Sequence, residues 1–327
     1  MEELTAERVK GFIEIEDDEF YIDKLREKHG ISPESSVFHM TIKRLVADKK
    51  LKRIGRGLYR RITQVEPVIW WEDENEEPID FRFPKSYDDI TEFGIENLVE
   101  VFAGDMILIA GSSNYGKTTM ALSLLGENIG LFPAVLMGSE YTAANGKISP
   151  KFRRRMKRMG WVEWINGDGK PSFELLPVGA DYEDYVKADH LNVIDWISLP
   201  GDYYMIDRVM KSIKDKVGNG IAVAVLQKNK TSEYGEGGER TERYADVYLT
   251  IDPYGDRESM LTIGKVKAPK GRATGRMWAF SIVDYGANFH NIREIVKCVK
   301  CWGKGYVRSG QNTTRCSGCE GKKYIDK

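Results

Sequence analysis

Nine consecutive residues carry the most specific chemistry of this 327-residue chain: Gly111-Ser112-Ser113-Asn114-Tyr115-Gly116-Lys117-Thr118-Thr119. The pattern is G-x-x-x-x-G-K-T. A glycine-rich turn lets backbone N–H groups close around phosphate oxygens, because no Cβ holds the backbone away. Lys117 is placed to neutralise the β- and γ-phosphates of a nucleoside triphosphate, and Thr118 to set a hydroxyl on Mg²⁺. Such a loop needs a strand before it and a helix after it. Met106-Ile107-Leu108-Ile109-Ala110 reads as a buried strand, and Thr119 to Leu125 as the first turns of a helix. The helix N-terminus then faces the phosphates.

Two carboxylates downstream fit the same chemistry. Asp195 stands towards the end of the apolar run 191–197, where it would complete the Mg²⁺ shell. The next residue is Trp196, so a water-polarising base must come from elsewhere. Glu140 follows the apolar run 133–138 and would sit at the carboxyl end of the sheet, where an open α/β sheet holds its ligand. There it could orient and deprotonate the attacking water. A surface-loop carboxylate is the competing reading of Glu140.

The four cysteines lie together as Cys298-x₂-Cys301 and Cys316-x₂-Cys319, which excludes a disulfide framework for the whole chain. Two knuckles of two thiolates suit tetrahedral Zn²⁺ in a closed, structural site. A redox dithiol is the competing reading. From Arg293 onward nine Lys/Arg face three Asp/Glu, which suits either nucleic-acid contact or protein docking.

These motifs need elements to hold them. Residues 1–62 read as three helices and a basic hairpin: Thr5 to Ile15, Tyr21 to Lys28, and a helix capped by Ser35 or Ser36 that runs to about Lys49. Val37, Met40, Leu45 and Val46 are expected on the apolar side of that third helix. Leu51 to Arg61 reads as strand, glycine turn, strand. Between Lys43 and Arg61 nine Lys/Arg accompany one acid. Residues 63–99 hold Trp70, Trp71 and a dense run of acids, a linker composition. Residues 100–292 alternate apolar strands with helical stretches, then end in strands without long helices, as in a parallel α/β sheet extended by antiparallel hairpins. Residues 293–327 form the cysteine module. Lys151 to Arg158 holds six basic residues in eight and precedes Trp161 and Trp164. That run reads either as a phosphate-tracking surface with rings for bases or as a solvated helix face.

Apolar residues make up 41% and charged residues 30%, and no apolar stretch approaches the roughly 18 residues of a membrane span. The acidic N-terminus lacks the layout of a signal peptide. A cytoplasmic protein without membrane partners is expected.

The motif order supports a resemblance. The phosphate loop is followed by a strand ending in Ser139-Glu140, a strand with Ile194-Asp195, a strand closing on Gln227, and then hairpins. This resembles the RecA/DnaB-type ATPase core over residues 100–292. The N-terminal pattern resembles a winged helix-turn-helix. The C-x-x-C-x-G-x-G spacing resembles DnaJ-type zinc modules, with the second copy departing at Lys323. The resemblance implies an α/β fold: a RecA-like core with a central, mostly parallel sheet and C-terminal antiparallel hairpins, plus a small winged helix and a zinc ribbon. It implies ATP hydrolysis, with Gln227 reading the γ-phosphate and passing the signal to the glycine-rich loop 228–240. It implies that Lys265-x-Lys267 supplies cations to a neighbouring subunit's ATP, with Arg272 and Arg276 as alternatives. The active site would then be split between subunits of a hexameric ring or filament. DNA is the implied partner, a single strand through the core and a duplex at the winged helix. A replicative-type helicase leads. A recombinase or annealing ATPase, an ATP-switched initiator or regulator, and a docking scaffold stay open.

Overall fold

Small polar side chains, Thr5 and Ser35, cap two of the first three helices. The computed structural model describes residues 4–63, 77–143, 146–199, 201–229, 232–309 and 312–327. It divides into two units, 1–76 and 77–327. In the first, α1 (Ala6–Glu14) begins where the Thr5 side chain accepts the Arg8 N–H. β1 (Glu19–Tyr21), α2 (Ile22–Lys28) and α3 (Ser36–Ala47) follow, and the Ser35 hydroxyl caps α3 through the Phe38 N–H. β2 (Leu51–Arg53) and β3 (Leu58–Arg61) close a three-stranded sheet in the order β1-β3-β2.

The inward stripe of α3 is Phe38, Thr41, Ile42 and Leu45. This corrects the expected face: Leu45 is inside, but Val37, Met40 and Val46 are exposed, Met40 by 53%. Helical spacing from Phe38 reaches Ile42 and Leu45, while Val37 and Met40 fall one position outside that stripe. Trp70 and Trp71 lie outside the described residues.

The second unit is built on one large sheet. Its strands are β4 (Met106–Gly111), β5 (Ala134–Met137), β6 (Glu174–Leu176), β7 (Leu191–Ile197), β8 (Ile221–Gln227), β9 (Val247–Tyr254), β10 (Glu258–Val266), β11 (Met277–Val283), β12 (Asn288–Lys297) and β15 (Tyr324–Asp326). Helices α4 (Lys117–Asn128), α5 (Pro150–Arg158) and α6 (Ile206–Lys216) connect them, and β13 (Tyr306–Ser309) pairs with β14 (Asn312–Arg315) as a separate hairpin. The spatial order is β15-β12-β11-β10-β9-β4-β8-β7-β5-β6. β9, β4, β8, β7, β5 and β6 run parallel, and β10, β11, β12 and β15 are antiparallel additions. This is the expected α/β architecture.

Alternation along β4 makes two cores. Ile107 and Ile109 face the cluster of α4, with Leu122 and Leu125. Met106, Leu108 and Ala110 face the cluster of α6, with Val209, Met210 and Ile213. All five strand residues are fully buried, which is why β4 reads as a continuous apolar run rather than an alternating one. Met106, Ile107, Leu108 and Ile109 each contribute about 1.5–3 kcal/mol of burial, and Ala110 less.

Two expected boundaries move. Residues 77–99 are not linker: Phe81, Phe83, Phe93, Ile95 and Val99 are buried in the α4-side core. Phe93 meets Phe280 and Phe289 edge-on at 5.4 and 5.3 Å, and Asn128 bonds both the N–H and the carbonyl of Arg82. The boundary at 292/293 falls inside β12. That strand belongs to the large sheet, and β15 returns from the cysteine module to pair with it through Ile295–Asp326, Val296–Ile325 and Lys297–Tyr324.

Candidate nucleotide site and cysteine centre

The loop 111–119 joins β4 to α4, as its motif requires. Gly111 approaches β9 so closely that a Cβ would lie 2.7 Å from the Ile251 carbonyl oxygen. Gly116 has φ +104°, and a Cβ there would run into Ile282 Cδ1. Both positions therefore demand glycine. Lys117 is buried and donates to the Ser112 carbonyl at 2.9 Å. Burial holds its ammonium below the ordinary value, while Asp195, Glu236 and Glu140 pull the other way. Thr119 donates to the Gly286 carbonyl at 2.9 Å, tying the start of α4 to the β11–β12 turn.

A cavity of about 920 Å³ opens over this loop, lined by Lys117, Thr118, Glu140, Arg155, Gln227 and Glu236 among others. Asp195 is only 4% exposed. Its Oδ2 accepts the Tyr141 hydroxyl at 2.5 Å, while its buried Oδ1 accepts no hydrogen bond. Burial raises its pKa, against the hydroxyls of Tyr141 and Thr118 and the charges of Lys117 and Arg155. A buried carboxylate oxygen without a partner, beside a threonine hydroxyl, fits a hard cation that takes oxygen ligands. Thr118 and Asp195 are the residues that would hold Mg²⁺.

Gln227 Nε2 donates to the Ser113 hydroxyl at 2.8 Å, so the end of β8 touches the phosphate loop directly. Glu140 sits in a single helical turn, Ser139–Tyr141, after β5 and is exposed to the cavity. The structure thus brings Gly111 to Thr119, Glu140, Asp195 and Gln227 together. Lys265 and Lys267 are not among them. Lys265 stands opposite Tyr248 on β9. Lys267 bonds Asp246 at 2.7 Å, and the Asp246 N–H bonds the Met106 carbonyl. That is the amino end of β4, five residues or about 17 Å along the strand from the loop.

Two site residues were missed by sequence reasoning. Glu236 belongs to the glycine-rich loop after β8. Its N–H bonds the Gln227 carbonyl at 2.7 Å, which turns it back into the cavity. Arg155 was read only as one member of a basic run, but α5 is amphipathic: Phe152 is buried, and Arg155 lines the cavity. Arg158 lies 4.3 Å over the Tyr285 ring. The tryptophans after this run are structural. Trp161 stacks on Tyr87 at 4.2 Å and donates to Asn288, and Trp164 donates to the Met156 carbonyl. Lys228, expected in a gripping loop, is buried against Asp252.

The cysteine module is two matching knuckles. Gly303 N–H bonds the Cys298 carbonyl and Gly321 N–H that of Cys316, both at 3.3 Å. Cys298 N–H bonds Lys323, and Cys316 N–H bonds Gly305, so each knuckle holds the other. All four sulfurs are buried and lie within 4.8 Å of one another. Cys298–Cys316 is 3.9 Å and Cys301–Cys319 is 3.5 Å. These exceed the roughly 2.05 Å of a disulfide and bracket the roughly 3.8 Å edge of a tetrahedron with 2.3 Å Zn–S bonds. Burial acts to raise the thiols; the Gly305 N–H and the neighbouring sulfurs lower Cys301, while burial and Cys301 push Cys319 up, as expected of thiols crowded together without a cation. The donor set fits Zn²⁺.

The mostly parallel sheet and the glycine-rich loop between β4 and α4 together define an α/β fold with a phosphate-binding loop. Among solved structures, the chain is similar to the KaiC-like protein PH0186 from the hyperthermophilic archaeon Pyrococcus horikoshii OT3. That match has 20% identity and a TM-score of 0.44, and covers 65% of this chain and 99% of the other. No protein-family model matches the chain, and no curated protein matches it.

Proposed function

We propose that this protein hydrolyses ATP and couples hydrolysis to work on DNA, as a helicase-type motor assembled from several copies of the chain. The contact between Gln227 and Ser113 carries the reading. It links the phosphate loop to the loop after β8, so occupancy of the nucleotide site can be felt by a segment outside it. Water would attack the γ-phosphorus in line, the bond to the β–γ bridging oxygen would break, and ADP and phosphate would separate. Glu140 would orient the water and take its proton. Glu236 is the second carboxylate available for that role, because it lines the same cavity over the phosphate loop. Bound at Thr118 and Asp195, Mg²⁺ would neutralise charge on the phosphates.

Lys265 and Lys267 lie at the far end of the sheet from their own loop, which suits cations offered to another subunit's nucleotide. The arrangement of three helices and a β1-β3-β2 sheet suits a winged helix, and the basic β2–β3 hairpin suits contact with duplex DNA.

The deciding experiment measures ATP turnover without nucleic acid, with single-stranded DNA and with duplex, for the wild type and Lys267→Ala. Stimulation by single strand that is lost in the variant supports a motor with a shared site. Equal rates in all three conditions remove nucleic acid from the mechanism. Single-strand binding without unwinding favours a recombinase or annealing ATPase. Slow turnover with sequence-specific duplex binding favours an ATP-switched initiator.

A further inference from the structure

The cysteine module carries an exposed face that metal binding does not explain. Trp302 is 80% exposed and Val299 73%. Trp302 follows Cys301 directly and is held at φ +52°, a region where a bulky side chain is rare. The equivalent position of the second knuckle, Glu320, has φ +47°. The knuckle therefore imposes the conformation, and it projects whatever side chain stands there.

Trp302 shares one open depression of about 240 Å³ with Lys300, Lys304, Tyr306 and Arg308. Small-molecule pockets typically enclose about 300–1,000 Å³, so this surface suits a flat ring laid upon it rather than an enclosed ligand. The Arg308 guanidinium lies 5.9 Å from the Tyr306 ring centroid. Lys300 reaches across to the Ser317 hydroxyl at 2.6 Å. Among the described residues no acidic side chain lines the depression, and Glu320 lines a different groove.

Aromatic rings interleaved with cations, and no carboxylate among them, match one class of macromolecule. Single-stranded nucleic acid offers unstacked bases to the rings and phosphates to the lysines. A duplex keeps its base faces covered and gives Trp302 nothing to stack on. We propose that this face grips single-stranded nucleic acid, with Trp302 and Tyr306 as stacking platforms and Lys300, Lys304 and Arg308 on the backbone. The proposal rests on the motor reading above and adds a second hold outside the ATPase core.

The test titrates full-length, zinc-loaded protein against a fluorescent thymidine oligonucleotide, with a duplex of equal length and polyglutamate as competitors. Zinc content and nucleic-acid-free ATP turnover, unchanged in every variant, report an intact fold. Trp302→Ala should weaken single-strand binding about tenfold, and Trp302→Phe should restore most of it. Lys304→Gln should lower the salt-dependence slope by about 0.7. If the wild type binds the strand and both Trp302→Ala and Lys304→Gln bind it equally well, this proposal falls while the motor reading stands. Displacement of the strand by polyglutamate as readily as by unlabelled single strand would assign the face to an acidic protein segment instead. A wild type without single-strand affinity removes both readings.

Discussion

Tyr141→Phe isolates the carboxylate on the metal side of the nucleotide site. The substitution removes one oxygen from a fully packed position and leaves the ring against Phe152 at 4.5 Å between centroids. What is lost is the hydroxyl that Asp195 Oδ2 accepts at 2.5 Å. Since Oδ1 already has no hydrogen-bond partner, the variant leaves the buried carboxylate only the nearby Thr118 hydroxyl and the charges of Lys117 and Arg155. A hydrogen bond to a charged group is worth about 1.5–3 kcal/mol. For a unit of this size each kcal/mol moves the melting temperature by about 2–4 °C, so the ligand-free variant should melt about 3–12 °C below wild type. Thermal unfolding is then repeated with Mg²⁺ and a non-hydrolysable ATP analogue. A cation on Asp195 replaces part of what the hydroxyl supplied, so the gap between variant and wild type should narrow. Equal melting temperatures without ligand would refute the account of Asp195. So would a gap that ligand leaves untouched.

Three further outcomes are expected. Glu140→Gln should lower kcat by about 10²–10⁴-fold while leaving nucleotide affinity within a few-fold; if Glu236→Gln has that effect and Glu140→Gln does not, the base is reassigned. Removing zinc with a chelator, or Cys301→Ser, should release the β12–β15 pairing along with the knuckles, visible as loss of amide protection at Val296 and Ile325; protection unchanged in a metal-free sample would show that the sheet holds itself. Asp105 is raised to about 6, chiefly by burial and then by Asp246, against the Phe102 N–H. The folded state therefore keeps a proton that the unfolded chain loses near pH 4, and wild-type stability should fall as pH rises from about 4 to about 6. Urea unfolding across that range should show the decline in wild type and a flatter profile in Asp105→Asn.

What the sequence made legible follows from how local each signal is. The phosphate loop is a contiguous motif whose glycines answer to immediate neighbours, and β4, β7 and β8 are apolar runs because both faces of the sheet are covered. The cysteine spacing is likewise local. What escaped depends on distant partners. In residues 77–99, acids on the outer face obscured Phe81, Phe83 and Phe93, whose burial is decided by α4 and by β11 and β12. Trp161 and Trp164 suggested base stacking because a sequence does not reveal that Tyr87 and Phe173 already occupy their rings. Arg155 and Lys228 were members of charged stretches, and only the fold separates a cavity-lining or buried cation from a solvated one. The apolar face of α3 was misjudged for a smaller reason. Its stripe passes through Thr41, whose hydroxyl is satisfied by the Val37 carbonyl at 2.8 Å, so a polar residue marks the inside of the helix.

β12 has a mechanical meaning. It leaves the turn whose Gly286 carbonyl receives the Thr119 hydroxyl, and it ends one residue before Cys298. Ten residues of β12, bulged at Asn291 where φ is +54°, thus run between the neighbourhood of the phosphate loop and the cysteine knuckles. β11 pairs with it on both sides of the bulge, and β15 pairs with its last three residues, Ile295 to Lys297. A displacement of the knuckles would have one strand, one bulge and the Thr119–Gly286 hydrogen bond between it and the first turn of α4.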